Sequence, residues 1–179
     1  MPPTGKRFDD PVHREKWLAL IQSLNPGIDP QAIRLMDEMR MVARALYHVG
    51  ESSLTDSGLS YAQYGVLMRL FFNEQMGEGG ELNPSEISDR LGTSRNTVSG
   101  LIRGLEQQEL VERRLDEHDR RKFNIRLTED GRARVRDHVR QHFNAIGRCF
   151  SVLTPEEIKT MSRLLAKLRA TAFDLKRNE

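Results

Sequence analysis

The segment from Asn83 to Leu105 restricts the fold of this 179-residue chain more than any other part of its sequence. Ile87 and Leu91 lie one helical turn apart, so they predict a short helix with one buried face. Gly92 follows directly, and glycine tolerates the left-handed backbone that ends many helices. Four apolar anchors at helical spacing predict a second helix: Val98, Leu101, Ile102 and Leu105. The segment is therefore typical of a helix-turn-helix unit.

Capping residues mark the starts of several helices. In four places a capping residue is followed by proline, which fits the first helical position because an N–H there has no intrahelical partner. These pairs begin at Asp10, Asp29, Asn83 and Thr154, and Ser60 with Gln63 marks another start. Together with the apolar periodicity, these signals predict helices at 11–23, 30–51, 61–74, 84–91, 94–108, 129–150 and 155–175.

Two short segments after the helix-turn-helix unit read as strands. Residues 110–114 and 123–127 alternate between apolar and polar side chains, and the polar stretch 115–122 between them reads as the tip of a hairpin. A hairpin directly after a helix-turn-helix unit is the order of a winged helix-turn-helix. The predicted fold class is therefore mainly α, with a small β-hairpin wing and flanking dimerisation helices.

The second helix of the unit carries a face suited to the major groove of DNA. Four of its polar side chains project within about 100° of one another: Arg95, Asn96, Ser99 and Arg103. Arginine matches guanine O6 and N7, and asparagine matches adenine. Three hydroxyl residues lie at its amino end, where N–H groups suit a phosphate oxygen: Thr93, Ser94 and Thr97. The alternative interpretation is an ordinary polar helix face.

The predicted hairpin tip supplies a second candidate contact. Asp119, Arg120, Arg121 and Lys122 place consecutive cations at the tip, where a long side chain fits a minor groove while its neighbours meet phosphates. Asp119 is suited to orient Arg121 through a charge-assisted hydrogen bond. Residues 113–136 contain nine basic and five acidic side chains, so this stretch is a candidate phosphate-facing surface or, alternatively, a solvated charged face. The net charge of +2 does not by itself indicate a polyanionic partner.

Taken together, these motifs resemble those of the MarR (multiple-antibiotic-resistance regulator) family. The resemblance rests on the Leu-Gly-Thr-Ser-Arg-Asn-Thr-Val-Ser run at 91–99, the strand at 110–113, the wing at 119–121 and the exit at 127–131, with the helix start at 153–157. It covers residues 30–175. It implies a two-fold dimer built from terminal helices, recognition helices in successive major grooves and wings in flanking minor grooves. It also implies that Arg121 is the wing arginine and Asp119 its carboxylate partner.

The sequence departs from the family pattern in three places. Gly100 and Gly104 lie inside the recognition helix, where each costs about 1 kcal/mol relative to alanine. Glu109 occupies the position where relatives have a helix-ending glycine, which makes the boundary near Gln108 less secure. Residues 1–29 extend beyond the family start, and we expect the apolar face of this extra helix to pack on the dimerisation region. That face comprises Trp17, Leu18, Leu20 and Ile21.

Apolar stripes on the other helices predict a homodimer. They lie on the second helix (Leu35, Met39, Val42, Leu46, Val49), the sixth (Val135, Val139, Phe143, Ile146, Phe150) and the last (Ile158, Met161, Leu165, Leu168). Narrow stripes of this kind suit a partner helix; the alternative is a core within one chain. The predicted domains are an N-terminal extension at 1–29, a dimerisation region at 30–60 and 132–179, and a DNA-binding domain at 61–131.

The resemblance also suggests regulation by small molecules. Many family members lose DNA affinity when an aromatic or phenolic compound binds between their dimerisation and DNA-binding parts, and others sense oxidants or metals. Five residues are candidates for such an effector pocket, although core packing explains them equally well: Tyr47, His48, Tyr61, Tyr64 and Met68. His138 and His142 are only weak metal-site candidates, and no metal or cofactor is predicted. Cys149 is expected to be buried and inert rather than a redox switch.

Composition and motifs exclude several other classes of function. No apolar run approaches the roughly 20 residues of a membrane-spanning helix, and the amino terminus lacks the apolar core of a signal peptide. With a single cysteine the chain forms no internal disulfide, so we expect a cytoplasmic protein without a membrane partner. No catalytic arrangement or phosphate loop is present, so an enzyme is not predicted. The remaining alternative to a DNA-binding regulator is a winged-helix module that binds only proteins.

Overall fold

The computed structural model describes residues 10–115 and 123–177. Within these residues it contains seven α-helices, a 3-10 turn at Thr55–Ser57 and three strands. The helices are α1 (Pro11–Leu24), α2 (Pro30–Ser52), α3 (Tyr61–Gln75), α4 (Pro84–Leu91), α5 (Arg95–Gln107), α6 (Glu129–Phe150) and α7 (Pro155–Arg177). The strands are β1 (Glu81–Leu82), β2 (Val111–Leu115) and β3 (Phe123–Leu127). The predicted fold class, mainly α with a winged helix-turn-helix, is confirmed.

The predicted capping residues hold the helix starts. Asp10 accepts a hydrogen bond from the backbone N–H of Val12 at 3.1 Å, and Asp29 accepts one from Gln31 at 2.9 Å. Ser60 with Gln63 and Asn83 with Glu86 form complete capping boxes. Because these contacts are local in sequence, all seven predicted helices occur with ends within two residues of the prediction.

The three strands form one antiparallel sheet in the order β1-β3-β2. Leu115 lies opposite Phe123 and Arg113 opposite Ile125, which makes β2 and β3 the predicted hairpin. Strand β1 was not predicted, because two residues are too few to show an alternating pattern. It pairs Leu82 with Ile125 and ties the segment before α4 to the hairpin.

The core of the helix-turn-helix unit lies between α3, α4, α5 and the sheet. Its fully buried side chains include Leu67, Leu70, Ile87, Val98, Ile102, Leu105 and Ile125. Burying each contributes about 1.5–3 kcal/mol relative to an exposed side chain. The apolar residues whose spacing predicted α4 and α5 therefore form the buried faces of these two helices.

Residues up to Tyr47 form one compact unit, and those from His48 onward form a second. In the first unit, ion pairs fasten α1 to α2: Arg14 lies 3.0 Å from Asp37, and Arg34 lies 2.9 Å from Glu15. The expected apolar face of α1 is only partly buried, since Leu18 is buried but Leu20 is 55% exposed. The sequence pattern missed these ion pairs because they join residues about 20 positions apart.

Helix α5, strand β2 and helix α6 meet at Leu110, whose side chain is buried. The Leu110 N–H donates to the Leu105 carbonyl at 3.0 Å, and the Leu110 carbonyl accepts from the Thr128 N–H at 3.2 Å. A Cβ on Gly131 would lie only 2.1 Å from that carbonyl oxygen, so only glycine permits α6 to begin here. We call this contact the Leu110 junction.

The residue before the junction adopts a backbone conformation that normally favours glycine. Glu109 has a φ of 57°, and it is the one residue other than glycine with positive φ among the described residues. Its N–H donates to the Glu106 carbonyl at 2.9 Å, and its carbonyl accepts from Thr128 Oγ1 at 2.7 Å. The α5 boundary therefore occurs near Gln108, where it was predicted, and a glutamate takes the left-handed position that follows it.

We predict that Glu109→Gly raises the free energy of unfolding by about 1 kcal/mol, because glycine removes the left-handed strain. Chemical denaturation measures this change. Glu109→Ala is the control: it removes the same side chain but keeps a Cβ, and should give no such gain. An equal gain in both variants would show that the glutamate side chain, not its backbone, is the source of strain.

Candidate nucleic-acid interface

The turn between α4 and α5 is fixed by backbone geometry. Gly92 has a φ of 64°, in the left-handed region. The Thr93 N–H donates to the Ser88 carbonyl at 3.2 Å, and Ser88 Oγ donates to the Thr93 carbonyl at 2.5 Å. These bonds set the direction in which α5 leaves the turn, and so they orient its outer face.

The predicted recognition face lies on the outside of α5. Arg95, Asn96, Ser99 and Arg103 are all exposed, and the opposite face is buried through Val98, Ile102 and Leu105. Among the described residues neither Arg95 nor Arg103 forms an ion pair, so both guanidinium groups are available to a polyanion.

The three hydroxyl residues at the start of α5 have local partners. Ser94 Oγ accepts from the Thr97 N–H at 3.1 Å and lies 2.8 Å from Thr97 Oγ1, so it caps the helix. Thr93 is half-buried, and its carbonyl is bonded to Ser88. Their first role is thus to hold the amino end of α5, a role that the sequence analysis did not assign to Ser94.

The two glycines inside α5 have different surroundings. A Cβ on Gly100 would meet nothing within 4 Å, whereas one on Gly104 would lie 2.9 Å from Gln63 Nε2. A larger residue at position 104 would therefore require the end of the Gln63 side chain to move, whereas the space beside Gly100 is open.

The hairpin is joined to the last turn of α5 by an ion pair. Arg113 Nε and Nη2 donate to the two carboxylate oxygens of Glu106 at 2.5 and 2.8 Å. The Arg113 guanidinium also lies over the Phe123 ring, 4.7 Å from its centroid. Asp119, Arg120, Arg121 and Lys122 at the tip lie outside the described residues, so their role remains a sequence-based prediction.

Several arginines in the basic stretch 113–136 do not form a free cationic surface. Arg126 pairs with Glu112, Arg132 lies 2.8 Å from Glu74, and Arg136 lies 3.0 Å from Glu129. Arg134 donates instead to the Ser57 carbonyl. Within the described part of this stretch, only Arg114 lacks a hydrogen bond or ion pair. Among the described residues the expectation of a phosphate-facing surface is therefore narrowed, because nearby glutamates pair with most of the arginines of this stretch.

A polar network that sequence reasoning missed holds α4 in place. Asn73 is 2% exposed, and its Nδ2 donates to the carbonyls of Glu78 at 3.1 Å and Glu81 at 3.3 Å. Arg90 Nη1 donates to Asn73 Oδ1 at 2.8 Å. One buried amide thus connects the end of α3, the loop that follows it and α4. No local sequence pattern predicts this contact, because it forms only when the loop after α3 folds back.

Two of the candidate effector residues surround a buried histidine. The rings of Tyr61 and Tyr64 have centroids 5.5 and 5.3 Å from that of His142. Met68 is buried in the core, His48 is exposed 3.8 Å from Glu51, and Tyr47 belongs to the other compact unit. The structure therefore brings together Tyr61 and Tyr64 with His142, which the sequence had marked only as a weak metal candidate.

Hydrogen bonds define the state of this cluster. Ser53 Oγ has a single proton and donates it to the Gly50 carbonyl at 2.6 Å, so His142 Nδ1 donates to Ser53 across 3.1 Å. Burial lowers the pKa of His142 below its ordinary value. Within the described residues the Tyr64 hydroxyl is buried without a hydrogen-bond partner, and burial raises its pKa to about 12. His142 and Tyr64 are thus both uncharged near pH 7.

The remaining expectations from the sequence concern Cys149, metal sites and membrane-spanning helices. Cys149 is half-buried, with Sγ 3.6 Å from the Ala145 carbonyl. Among the described residues no group of three or more His, Cys, Asp or Glu side chains is placed to hold a metal ion. No helix in that part of the chain is both long and apolar enough to cross a membrane.

Comparison with known proteins gives consistent matches. The MarR family profile matches residues 57–122. The HTH-type transcriptional repressor YetL of Bacillus subtilis is 29% identical over 79% of this chain and 83% of its own length. The HTH-type transcriptional regulator YkoM of the same organism is 30% identical over 75% of this chain and 85% of its own length. These relatives are transcription regulators, in agreement with the expectation that the chain is not an enzyme.

Solved structures match both the fold and the sequence. MepR of S. aureus in complex with DNA has a TM-score of 0.67 and 27% identity, covering 74% of this chain and 94% of its own. BpsR of Bordetella bronchiseptica, whose DNA binding is regulated by 6-hydroxynicotinic acid, has a TM-score of 0.66 and 26% identity, covering 76% and 98%.

The buried histidine predicts a pH dependence. Because the folded pKa of His142 is lowered, the stability gained from neutral imidazole is present above about pH 6.5 and is lost as the pH falls through the folded pKa. We expect the free energy of unfolding to fall less steeply with acidification in His142→Gln than in the parent chain. His138→Gln is the control and should keep the parent slope. Identical slopes in all three proteins would contradict the assignment.

Proposed function

We propose that this chain, which belongs to the MarR family of transcription regulators, represses transcription as a homodimer that binds a pseudo-palindromic duplex site and responds to a small effector. Its half-sites would lie about one helical turn apart. The proposed location is the cytoplasm. By its family, the protein is a DNA-binding transcription regulator.

The observation that carries the proposed DNA contact is the outer face of α5. It presents Arg95, Asn96, Ser99 and Arg103 together, while a capped amino end and the turn at Gly92 fix its direction. Two guanidinium groups without ion pairs among the described residues supply phosphate or guanine contacts, and the Asn96 amide suits adenine. We assign Thr93, Ser94 and Thr97 to the phosphate-facing amino end, and the wing residues 119–122 to the flanking minor groove.

Selection from a pool of random duplexes at two salt concentrations tests this function. We expect enrichment of a two-fold symmetric site. Asn96→Ala should change the preferred sequence, whereas Arg121→Ala should weaken binding to all duplexes and reduce its salt dependence. Equal behaviour of the two variants on every duplex would refute this division of roles. No retention at low salt would favour a winged-helix module that binds only proteins.

The exposed stripes on the terminal helices support the proposed dimer. None of the described side chains of α7 is buried, although its stripe contains Ile158, Met161, Leu165 and Leu168, each 40–47% exposed. Leu35, Met39 and Val42 on α2 are 41–50% exposed. Apolar stripes of this length are stable in water when a second helix covers them. We therefore assign 30–60 and 132–179 to dimerisation, 61–131 to DNA binding and 1–29 to an added extension.

Static light scattering at micromolar concentration should report a dimer. Leu165→Glu places a charge on the α7 stripe and should shift the mass toward that of a monomer. Thr160→Glu adds the same charge on a different face of α7, about 140° away around the helix, and should leave the dimer intact. A monomeric parent protein would exclude the proposed dimer.

The cluster around His142 supports an effector site. The unpartnered Tyr64 hydroxyl offers a hydrogen bond inside an aromatic surrounding, which suits a small hydroxylated aromatic compound. BpsR, a structural relative, is regulated by such a compound. We place Tyr61, Tyr64 and Met68 nearest this site, whereas Tyr47 and His48 stay candidates from the sequence alone.

We expect 6-hydroxynicotinic acid or a related hydroxylated aromatic acid to release the parent protein from its selected duplex, as followed by fluorescence anisotropy. Tyr64→Phe should bind that duplex normally without the compound. It should require at least about tenfold more of the compound for release, because the buried hydrogen bond between the Tyr64 hydroxyl and the compound is lost. Equal release of both proteins would exclude Tyr64 from the effector site.

A further inference from the structure

Two consecutive arginines on β2 lie on opposite faces of the hairpin. Arg113 is opposite Ile125 and shares its face, and Ile125 is fully buried against the helices. Arg114 is opposite Asn124 and is exposed on the other face. The two residues have the same charge and neighbouring positions, so any difference in their effects must come from the faces on which they lie.

The Arg113 side chain is held by two elements besides its own strand. Its guanidinium forms a two-point contact with Glu106, in the last turn of α5, and lies over Phe123, the first residue of β3. Two parallel N–H···O bonds fix both distance and direction, which a single bond does not. Glu106 is only 26% exposed and Arg113 is 44% exposed, so solvent weakens this contact less than a fully exposed pair.

We propose that Glu106 and Arg113 are positioning residues for DNA binding: their ion pair sets the angle between the recognition helix and the wing, and neither contacts DNA. This inference rests on the proposed DNA binding. A dimer must place four elements on one duplex at the same time, two recognition helices and two wings, so a loosened angle between helix and wing costs affinity at every site. Arg113 is therefore not a phosphate contact, although its charge suggests that role.

Glu106→Gln gives the decisive test because the two explanations predict opposite signs. Removing a carboxylate near DNA should raise affinity if only charge matters. If the ion pair positions the wing, affinity should fall by about tenfold, within the range of coupling between contacting residues. Glu109→Gln removes an equal charge three residues away, where no ion pair occurs within the described residues, and should not lower affinity.

The arginines supply the second arm. Arg113→Lys keeps the charge but loses the two-point contact, so affinity should fall while the slope of log affinity against log salt stays unchanged. A phosphate contact would instead survive in Arg113→Lys, and its loss in Arg113→Gln would reduce the slope by about one. Arg114→Gln removes the same charge from the outer face and reports the effect of charge alone.

The measurement is fluorescence anisotropy of the 179-residue protein on a labelled mixed-sequence duplex of roughly 30 base pairs, long enough for two half-sites, and on the selected duplex. Thermal unfolding by circular dichroism shows whether each variant is folded; if Arg113→Gln is not, Glu106→Gln decides alone. Parent protein that binds while Glu106→Gln matches or exceeds Glu109→Gln overturns the positioning role. Parent protein that binds neither duplex overturns the proposed function and this inference together.

Discussion

The backbone contact at Leu110 is the constraint on which the DNA-binding unit depends. One residue accepts from Thr128, the cap of α6, and donates to Leu105, in the last turn of α5. Gly131 is required because any Cβ there would collide with the Leu110 carbonyl. Since a backbone carbonyl is not free to rotate away as a side chain is, the end of the recognition helix, the start of the wing and the start of α6 have one fixed arrangement.

Around this junction, ion pairs convert a charged sequence into a defined geometry. Glu106 with Arg113, Glu112 with Arg126 and Glu74 with Arg132 each join two different elements. Every such pair also removes a cation from the surface offered to DNA. Arg95 and Arg103 on α5 form no such pair among the described residues, so the placement of these two cations matters more than the total charge of the chain.

Helix α6 connects the two sites of the proposed regulator. Its first turn contains Gly131, at the junction, and its middle contains His142, in the aromatic cluster. These residues are 11 positions apart, which corresponds to about 16 Å along an α-helix. A compound that displaced the His142 ring would thus act on the same rigid element that anchors the wing. Glu109, whose backbone lies in the left-handed region, directly precedes Leu110 at this junction.

The sequence by itself determined the helix starts, the turn at Gly92, the hairpin and the exposed face of α5, because capping, periodicity and glycine conformation are local effects. The tertiary structure decided which charges remain free, since Arg113, Arg126 and Arg132 are paired only after distant acids are brought beside them. It also decided that His142 lies between Tyr61 and Tyr64 and that Asn73 holds Arg90. These contacts join residues on different elements, and no local pattern records which side chain of another element will lie beside a given residue.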